Sequence, residues 1–503
     1  MKCLSKYLLI IGMVAVVACS EKKVVVPDLY DHVSTIPSIY PDYTGVVVPC
    51  NIAPLTFRIE EEGTDFVTRF TAGGKVAVYG GSEVSPSAGD WSALLAAAVG
   101  DTIKIEVFAE NGGKWNAYKS FPIIVSGDSI DPYISYRLIP PSYVAYEKLT
   151  ISQRNLSNYD EKVIYSNKLV SSEPDGQCIN CHAYKNYKTD NMQFHVRQYL
   201  GGTVFVHNGV AKKVNMKTDS TISAGVYPFF NPKYDVVAYS VNNTGQIFHT
   251  KNPNKVEVQD QASDVIIYDP VREVVTHVAN APDCLEVFPA WSPDGEMLYY
   301  CSAYFPDRDK DMPHIEEMIR NYKDIKYDVL RRPWNPVTGE FGAVDTVFAA
   351  SKIGKSTTFP RISPCGRYLL FALAEYGCFH IWHKDADLYV MDLATRDAWP
   401  LEKANSPFPE SYHAWSSTGK WILFASRRDD TNYSRLYIAH MNDDGTSDKA
   451  FLLPQKNSEF YDYFDRSYNV PEFMVEPVRI SPHEFVEVVK GESVSVKYSS
   501  KYR

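Results

Sequence analysis

The sequence predicts an all-β protein with more than one domain, and three observations support this class. The chain has 503 residues, which corresponds to two to four domains at roughly 100–200 residues each. Aromatic residues make up 13% of it, with 35 Tyr, and aromatic side chains favour strands. The 31 Pro and 27 Gly are spread along the chain, as many turns between short strands require.

The acidic balance of the chain limits its partners. Lys and Arg total 51 against 61 Asp and Glu, which gives a formal net charge of -10. Nucleic-acid binding needs a basic face, so the composition argues against a nucleic-acid partner. Hydrophobic residues at 45% and charged residues at 22% are ordinary for a globular protein and exclude wholesale disorder.

The first residues predict an export signal. Lys2 and Lys6 precede an apolar run at residues 7–18, which is too short to span a bilayer and suits a secretory signal peptide. The run ends in VVACS, where small residues precede Cys19. This resembles the lipobox of bacterial lipoproteins, and the resemblance implies that residues 1–18 are removed and that Cys19 is lipidated. A plain signal peptide containing a cysteine is the alternative.

The residue after the predicted lipidation site indicates a location. Ser20, rather than Asp, at this position resembles lipoproteins sent to the outer membrane. We therefore expect the protein in the cell envelope, on the periplasmic or the surface face, held to the membrane by lipid. Residues 19–42 are predicted as lipid anchor and tether, with Val24–Val26 as an alternative edge strand.

A second cysteine motif lies at residues 177–182, with the sequence QCINCH. Cys-x-x-Cys-His is the attachment site of c-type haem: the two thiols bond to the vinyl groups and the adjacent imidazole reaches the iron. Cys178 and Cys181 are therefore predicted to carry one covalent haem, with His182 as the proximal iron ligand. Export supports this interpretation, because c-type haem is attached outside the cytoplasm.

Three other interpretations of this motif compete with haem. A thioredoxin-like Cys-x-x-Cys follows a strand and opens a helix, whereas the flanks here are polar and show no such pattern. A zinc knuckle needs a second ligand pair, and the sequence has no second Cys pair of this spacing. A disulfide across two residues is strained. The sequence therefore favours haem, carried on a polar loop.

The sixth iron ligand is predicted from the segment NMQFHVR at residues 191–197. Met192 and His195 are three apart in a predicted strand, so they point to opposite faces and at most one faces the haem. We expect His195, which gives a bis-histidine haem of low potential, with Met192 as the alternative that raises the potential. A distant ligand or an open position is the third possibility.

The residues before the motif predict two further segments. Short β-rich runs separated by turns with Gly or Asn fill residues 43–130, which predicts a small immunoglobulin-like sandwich. Residues 131–190 show no clear period at their start, and we expect a connector that carries the haem-attachment loop.

A repeated unit follows, built from an apolar strand, a turn of the Ser-Pro-Asp-Gly type and a second apolar strand. Copies begin at Phe288, Phe359 and Tyr412, and a weaker copy begins at Tyr227. Repeats of this kind predict a β-propeller of about five or six blades over residues 191–465. The closing strand could come from residues 131–170, or the tail at 466–503 could close the ring.

These repeats resemble the Trp-Ser-Pro-Asp-Gly units of TolB-like (WD40-like, PD40) propellers over about residues 190–460. The segments FHIWH at 379–383 and ESYHAWSS at 410–417, together with the lipobox and the Cys-x-x-Cys-His motif, extend the resemblance. The whole chain resembles a Bacteroidetes type of outer-membrane lipoprotein with a TolB-like propeller and a single c-type haem. This resemblance implies an architecture more than a function.

Two further groups of residues are candidates for a site or a crosslink. His380, His383 and His413 are predicted near strand ends, where propellers often bind ligands, although a histidine held by local hydrogen bonds is the simpler interpretation. Cys284 and Cys301 flank one repeat turn nearly symmetrically, which suggests a cross-strand disulfide in an oxidising compartment. No catalytic residue is predicted, because no nucleophile elbow, phosphate loop or paired-carboxylate motif is evident.

Three functions fit these features. The first is electron transfer by a lipid-tethered monohaem cytochrome whose propeller docks a redox protein partner. The second is a non-catalytic propeller that binds a protein, peptide or glycan and carries a structural or sensory haem. The third is a haem peroxidase-like enzyme, for which His195 would be the distal acid–base group. We expect the first, an electron carrier rather than an enzyme.

Overall fold

The computed structural model describes residues 24–140, 148–170, 176–307, 309 and 311–502. The predicted signal peptide and Cys19 lie outside these residues. Strands dominate the described chain, which confirms the all-β class. No helix in this part of the chain is long and apolar enough to cross a membrane.

The first part of the chain forms two sheets and one helix, with strands numbered in chain order. The larger sheet has seven strands, β1 (Asp31–His32), β3 (Val47–Pro49), β5 (Asp65–Ala72), β6 (Lys75–Gly80), β8 (Thr102–Asn111), β9 (Lys114–Ala117) and β10 (Phe121–Ser126). The smaller sheet has three, β2 (Ile39–Tyr40), β4 (Phe57–Ile59) and β7 (Glu83–Val84). Helix α1 (Ala88–Ala98) begins after Ser87, whose hydroxyl accepts a hydrogen bond from the N–H of Asp90.

The predicted tether at 19–42 is partly built into this domain. Strand β1 pairs in parallel with β9, and β2 pairs with β4. Residues 24–26 form no strand. The described part of the tether, residues 24–42, is therefore held against the fold by backbone hydrogen bonds, a feature that its irregular sequence pattern does not reveal.

Six sheets of antiparallel up-and-down strands follow. The first contains β11 (Tyr133–Ile139), β12 (Thr150–Asn155), β13 (Glu161–Ser166) and β34 (Ser467–Met474). The second contains β14 (Cys178–Lys185), β15 (Lys188–Arg197), β16 (Gly202–His207) and β17 (Val210–Asn215). The third contains β18 (Val226–Phe230), β19 (Val237–Phe248), β20 (Val256–Asp269) and β21 (Val274–Ala279).

The last three sheets repeat this order. The fourth contains β22 (Cys284–Trp291), β23 (Met297–Tyr304), β24 (Asp328–Pro333) and β25 (Asp345–Phe348). The fifth contains β26 (Ser356–Ile362), β27 (Tyr368–Ala374), β28 (Asp387–Asp392) and β29 (Ala398–Pro400). The sixth contains β30 (Glu410–Trp415), β31 (Trp421–Ser426), β32 (Arg435–His440) and β33 (Phe451–Leu452).

Short helices, 3₁₀ turns and two edge strands accompany these sheets. The remaining helices are α2 (His314–Arg320), α3 (Phe460–Tyr463) and α4 (Pro482–Lys490). Single 3₁₀ turns lie at Asn167–Leu169, Tyr322–Asp324, Ala350–Ile353 and His380–Trp382. Near the end of the chain, β35 (Val494–Ser495) adds in parallel to β17 and β36 (Lys497–Tyr498) adds in parallel to β21.

The innermost strands of the six sheets contact one another in a closed cycle. In order, β14 packs against β18, then β22, β26, β30 and β34, and β34 returns to β14. Strand β34 comes from near the end of the chain. It pairs with β11, which precedes the other five sheets of the ring in sequence. A ring of up-and-down sheets closed in this way is a propeller-like arrangement.

The connector predicted at 131–190 is therefore corrected. Its described residues form three strands of the first sheet and, at β14, the innermost strand of the second. The sequence of β12 does not show the alternation of apolar and polar residues that predicts a strand, because polar residues occupy buried positions, among them Gln153 and Arg154. The side-chain NH₂ of Gln153 donates to the carbonyl oxygen of Val478, and Arg154 donates to Gln455.

Each innermost strand carries a bulge at the same place. One residue there has a left-handed backbone, with φ near 50°: Cys181, Tyr227, Phe288, Phe359, Tyr412 and Val470. The strand pairing shifts at each of these residues. The next residue is always Pro or His. Bulges re-aim side chains, and here aromatic bulge residues meet, with ring centroids of Phe288 and Phe359 4.0 Å apart.

The disulfide predicted between Cys284 and Cys301 is corrected by the strand register. Cys284 lies opposite Tyr304, and Cys301 lies opposite Val287. The centre of the hairpin lies C-terminal to the midpoint between the two cysteines, so Cys284 faces a residue three positions beyond Cys301. Both cysteines are free thiols.

Candidate functional site

The Cys-x-x-Cys-His motif lies on β14, in the innermost strand of the second sheet. The expectation of a polar loop is therefore wrong: the strand pairs with β15 and packs inside the ring, so its side chains are enclosed. Cys178 and Cys181 are free thiols with exposures of 5% and 6%, and His182 is 1% exposed. All three donors of the motif are thus buried side by side on one strand.

Two arginines contact the first thiol. Arg137 Nη2 of β11 lies 3.5 Å from the sulfur of Cys178, and Arg197 Nη2 of β15 lies 3.3 Å from it. The start of β14 is therefore an electropositive environment for Cys178.

The second thiol faces the ring axis. Cys181 occupies the bulge, and its sulfur accepts a hydrogen bond from the backbone N–H of Tyr227 at 3.5 Å. Burial raises the pKa of the Cys181 thiol. Together with His182 it lines a narrow void of about 20 Å³ on the axis.

His182 is a buried neutral imidazole with unused hydrogen-bonding capacity. Burial lowers its pKa to about 4, although the backbone of Ser135 and Val470 lies close enough to oppose this effect. Neither ring nitrogen makes a well-formed hydrogen bond with any described residue. Buried polar atoms in folded proteins nearly always have a partner, so this imidazole is the outstanding feature of the motif.

The structure does not bring His195 and His182 together. Gln193, two residues before His195 and on the same face of β15, accepts a hydrogen bond from Tyr239 of the third sheet. His182 instead lies beside Ser135 of the first sheet. The second sheet separates the two imidazoles, and His195 Nδ1 is 3.1 Å from Thr203 Oγ1. The prediction that His182 and His195 are the two axial ligands of the iron is therefore corrected.

The alternative ligand lies on the other face of the same strand. Met192 is fully buried and pairs with Tyr184 across the strands. Its neighbour on that face, Phe194, stacks on Tyr165 of the first sheet, with ring centroids 5.0 Å apart. Met192 therefore shares the side of the sheet on which His182 lies.

The donors of the motif match those that c-type haem needs, namely two thiols and an adjacent imidazole. The void beside Cys181 and His182 is much smaller than a macrocycle. A larger cavity of about 370 Å³ lies next to it on the axis. Arg361 and Glu472 line both spaces and stand between them. The residues fit haem chemically, and β14 or this ion pair must move to admit the ring.

No group of three His, Cys, Asp or Glu side chains in the described ranges could hold a bare metal ion. Cys178 and Cys181 therefore do not form such a group with His182 in this arrangement.

The three histidines predicted at a propeller face have separate positions. His413 Nε2 donates to the carbonyl oxygen of Phe359 at 2.6 Å. His380 Nε2 lies 3.1 Å from the carbonyl oxygen of Gly377. His383 Nε2 lies 2.9 Å from Glu257 Oε2, with both side chains essentially unexposed. Only His380 and His383 are neighbours, with ring centroids 5.5 Å apart.

A buried acid beside Cys378 was not anticipated from the sequence. Asp260 lies on β20 and accepts hydrogen bonds from Asn242 at 2.9 Å and Tyr327 at 3.4 Å. The thiol of Cys378 is 3.7 Å away. Burial raises the pKa of Asp260 to about 6. Its only sequence signal is an Asp inside an otherwise β-rich run.

No protein-family model and no curated protein matches the sequence. Among solved structures, a Bacteroides fragilis protein provisionally named a 6-phosphogluconolactonase aligns at 11% identity over 65% of this chain and 97% of its own, with a TM-score of 0.32. An oligogalacturonate lyase in complex with manganese aligns at 14% over 68% and 86%, with a TM-score of 0.29.

The β-propeller domain of the Trilobed protease from Pyrococcus furiosus aligns at 11% identity over 70% of this chain and 91% of its own, with a TM-score of 0.29. Scores this low carry no argument about the reaction or ligand of this chain. The propeller-like fold stands on the chain's own six sheets and their closed cycle of contacts.

Proposed function

We propose that this chain is a lipid-anchored, monohaem c-type cytochrome-like protein of the cell envelope that transfers electrons. Cys178 and Cys181 attach one haem, and His182 binds its iron. One observation carries the proposal: His182, which directly follows the second thiol of the motif, is buried and makes no well-formed hydrogen bond.

The environment of His182 supports its role as an iron ligand. An imidazole must be neutral to offer a lone pair to iron. Burial lowers the pKa of His182 to about 4, so it is neutral at physiological pH. A bound haem would supply a one-electron redox centre, and the enclosing sheets would keep water from it.

Met192 is the side chain available for the sixth position on the His182 side of the second sheet. It pairs with Tyr184, two residues after His182. A methionine ligand raises the reduction potential relative to a second histidine. We therefore propose Met192, the alternative of the sequence analysis, in place of His195.

The remaining parts of the proposal concern the ring and its anchor. The six sheets are interpreted as six propeller blades, because their innermost strands contact in a closed cycle. The outer surface of this ring would dock a redox protein partner. Lipid on Cys19 would hold the protein to the outer membrane, and Cys19→Ala should release it to the soluble fraction.

The test is a haem stain on a denaturing gel, with the full-length protein produced alongside the c-type haem maturation machinery. The wild-type band should stain, and a pyridine haemochrome spectrum should show covalent haem. The Cys178→Ala/Cys181→Ala variant should lose all stain. The matched control, Cys301→Ala/Cys378→Ala, removes two buried free thiols elsewhere in the ring and should keep it. An unstained wild type, or stain that survives the first pair of changes, overturns the proposal.

A further inference from the structure

The 370 Å³ space on the ring axis, here called the axial cavity, is built by the whole ring. It lies beyond the bulges, where the innermost strands end. Each of the six sheets contributes to its wall, for example through Tyr184, Phe229, Trp291, Trp415 and Phe473. Its volume falls within the range of about 300–1,000 Å³ that small-molecule sites occupy.

Aromatic residues supply seven of the eighteen residues that line the axial cavity. Trp291 and Trp415 both line it. Trp415 Nε1 donates to the carbonyl oxygen of Arg361 at 3.1 Å. Trp291 is 2% exposed, and its Nε1 has no hydrogen-bond partner among the described residues. The cavity therefore offers flat apolar surfaces.

A single ion pair supplies the charged groups of the axial cavity, and the polar residues Asn186 and Ser417 also line it. Arg361 Nη2 lies 3.6 Å from Glu472 Oε1, which is longer than a hydrogen bond. The guanidinium also lies over the ring of Phe229, 4.9 Å from its centroid. Among the described residues the Glu472 carboxylate makes no other ion pair and no side-chain hydrogen bond. Burial raises the pKa of Glu472, and Arg361 opposes that shift.

This ion pair restricts the charge of a ligand. A ligand that carries a single charge would pair with Arg361 or with Glu472 and leave the other charge buried alone, which costs several kcal/mol. A neutral ligand with hydroxyl groups can accept from the guanidinium and donate to the carboxylate at the same time. Its hydroxyls would complete the hydrogen bonds that the 3.6 Å pair leaves open.

We infer that the axial cavity binds a small neutral saccharide, with its hydroxyl edge on the Arg361–Glu472 pair and its C–H face on Trp291 and Trp415. A pyranose ring combines these two faces in one molecule. Aromatic side chains suit it because they present large apolar surfaces with a polar edge. The inference uses none of the Cys-x-x-Cys-His side chains, but it shares Arg361 and Glu472 with the haem proposal, because a haem that displaced this pair would take the same space.

The test is a titration of the full-length protein with maltose, cellobiose and lactose, followed by tryptophan fluorescence. At least one of them should give a saturable change. Arg361→Gln/Glu472→Gln keeps the pair neutral overall and should weaken binding by about tenfold or more, because hydrogen bonds to charged groups are lost. Trp415→Leu, which leaves both charges in place, should weaken binding as well.

The matched control is Arg428→Gln/Glu410→Gln, which removes another enclosed ion pair, 2.9 Å long, in the sixth sheet. It should bind as the wild type does. Thermal unfolding identifies any variant that fails to fold. If Arg361→Gln/Glu472→Gln fails to fold, the affinity of Trp415→Leu for the sugar tests the inference. Running the titration on Cys178→Ala/Cys181→Ala as well separates loss of haem from loss of saccharide binding.

Three results would overturn the inference. None of the three sugars binds at millimolar concentration. An ionic ligand, such as galacturonate or glycine, binds more tightly than the neutral sugars. The cavity variants bind the sugar as tightly as the control does.

Discussion

Cys181 and Tyr412 occupy the same position in two sheets of the ring. Each is the left-handed residue of a bulge, with φ of 57° and 49°, and each is followed by a histidine. His413 donates to the carbonyl oxygen of Phe359, the bulge residue of the preceding sheet. His182 likewise lies beside the bulge residue of the preceding sheet, Val470, but it makes no well-formed hydrogen bond. His413 is therefore a matched control for His182, because it occupies the same position in a sheet that has no haem motif.

The first prediction compares His182→Gln with His413→Gln in the haem-loaded protein. His182→Gln should change the visible absorption spectrum, because it removes the proximal ligand. His413→Gln should leave the spectrum unchanged and lower the free energy of unfolding by about 1 kcal/mol, since it weakens one buried hydrogen bond. Absorption spectra and urea unfolding measure the two effects. Equal spectra for both variants would mean that His182 is only a residue of the repeat.

The second prediction separates the candidate sixth ligands. His195→Ala should leave the haem spectrum unchanged, because the second sheet lies between His195 and His182. It should cost about 1 kcal/mol of stability through the lost contact with Thr203. Met192→Leu nearly conserves volume and should alter the spectrum of the reduced haem. A high-spin spectrum for His195→Ala would restore the bis-histidine assignment.

The repeat was predictable from sequence where its signature is complete. Phe288 and Phe359 are each followed by Pro and by a Ser-Pro turn, and both copies are found. The copies at Cys181 and Val470 were missed, because neither bulge residue is aromatic and neither strand leads into that turn. The histidine that follows the bulge residue of β14 is interpreted as a haem ligand from the sequence, whereas in the fold it occupies a repeated position that is Pro or His in every sheet.

The axial cavity could not have been predicted in the same way. Arg361 and Glu472 lie on strands of the fifth and first sheets, and only closure of the ring brings them together. Their pairing follows from tertiary geometry and leaves no local pattern. By contrast, the thiols and imidazole of the motif are adjacent in the chain, so sequence alone could identify them as a donor set.

The third prediction concerns pH. Burial raises the pKa of Asp260 to about 6 from its ordinary value of 3.8. The folded protein therefore disfavours the ionised form of Asp260. The resulting decrease in the free energy of unfolding is fully present above pH 6 and disappears as the pH falls towards 4. Asp260→Asn removes the ionisation and should be more stable than the wild type at pH 8 by about 1–3 kcal/mol.

Urea unfolding of both proteins at pH 8 and pH 4.5 measures this difference. The gap between them should shrink at the lower pH. Comparing the two proteins at one pH cancels the titration of the buried histidines, which the proteins share. A gap that is the same at both values would mean that Asp260 ionises normally in the fold.

The last prediction concerns closure of the ring by β34. This strand pairs with β11 on one side of its sheet and packs against β14 and β30, so it joins the two ends of the cycle. Two truncations differ only in this strand: removal of residues 475–503 keeps it, whereas removal of residues 467–503 does not. The shorter truncation loses α4 and two edge strands and should still unfold cooperatively, at a lower temperature. The longer one exposes the edge of β11 and the flanks of two innermost strands, and unpaired strand edges favour aggregation. It should lose the cooperative transition in a thermal melt followed by circular dichroism. If both truncated proteins melt alike, β34 does not close the ring.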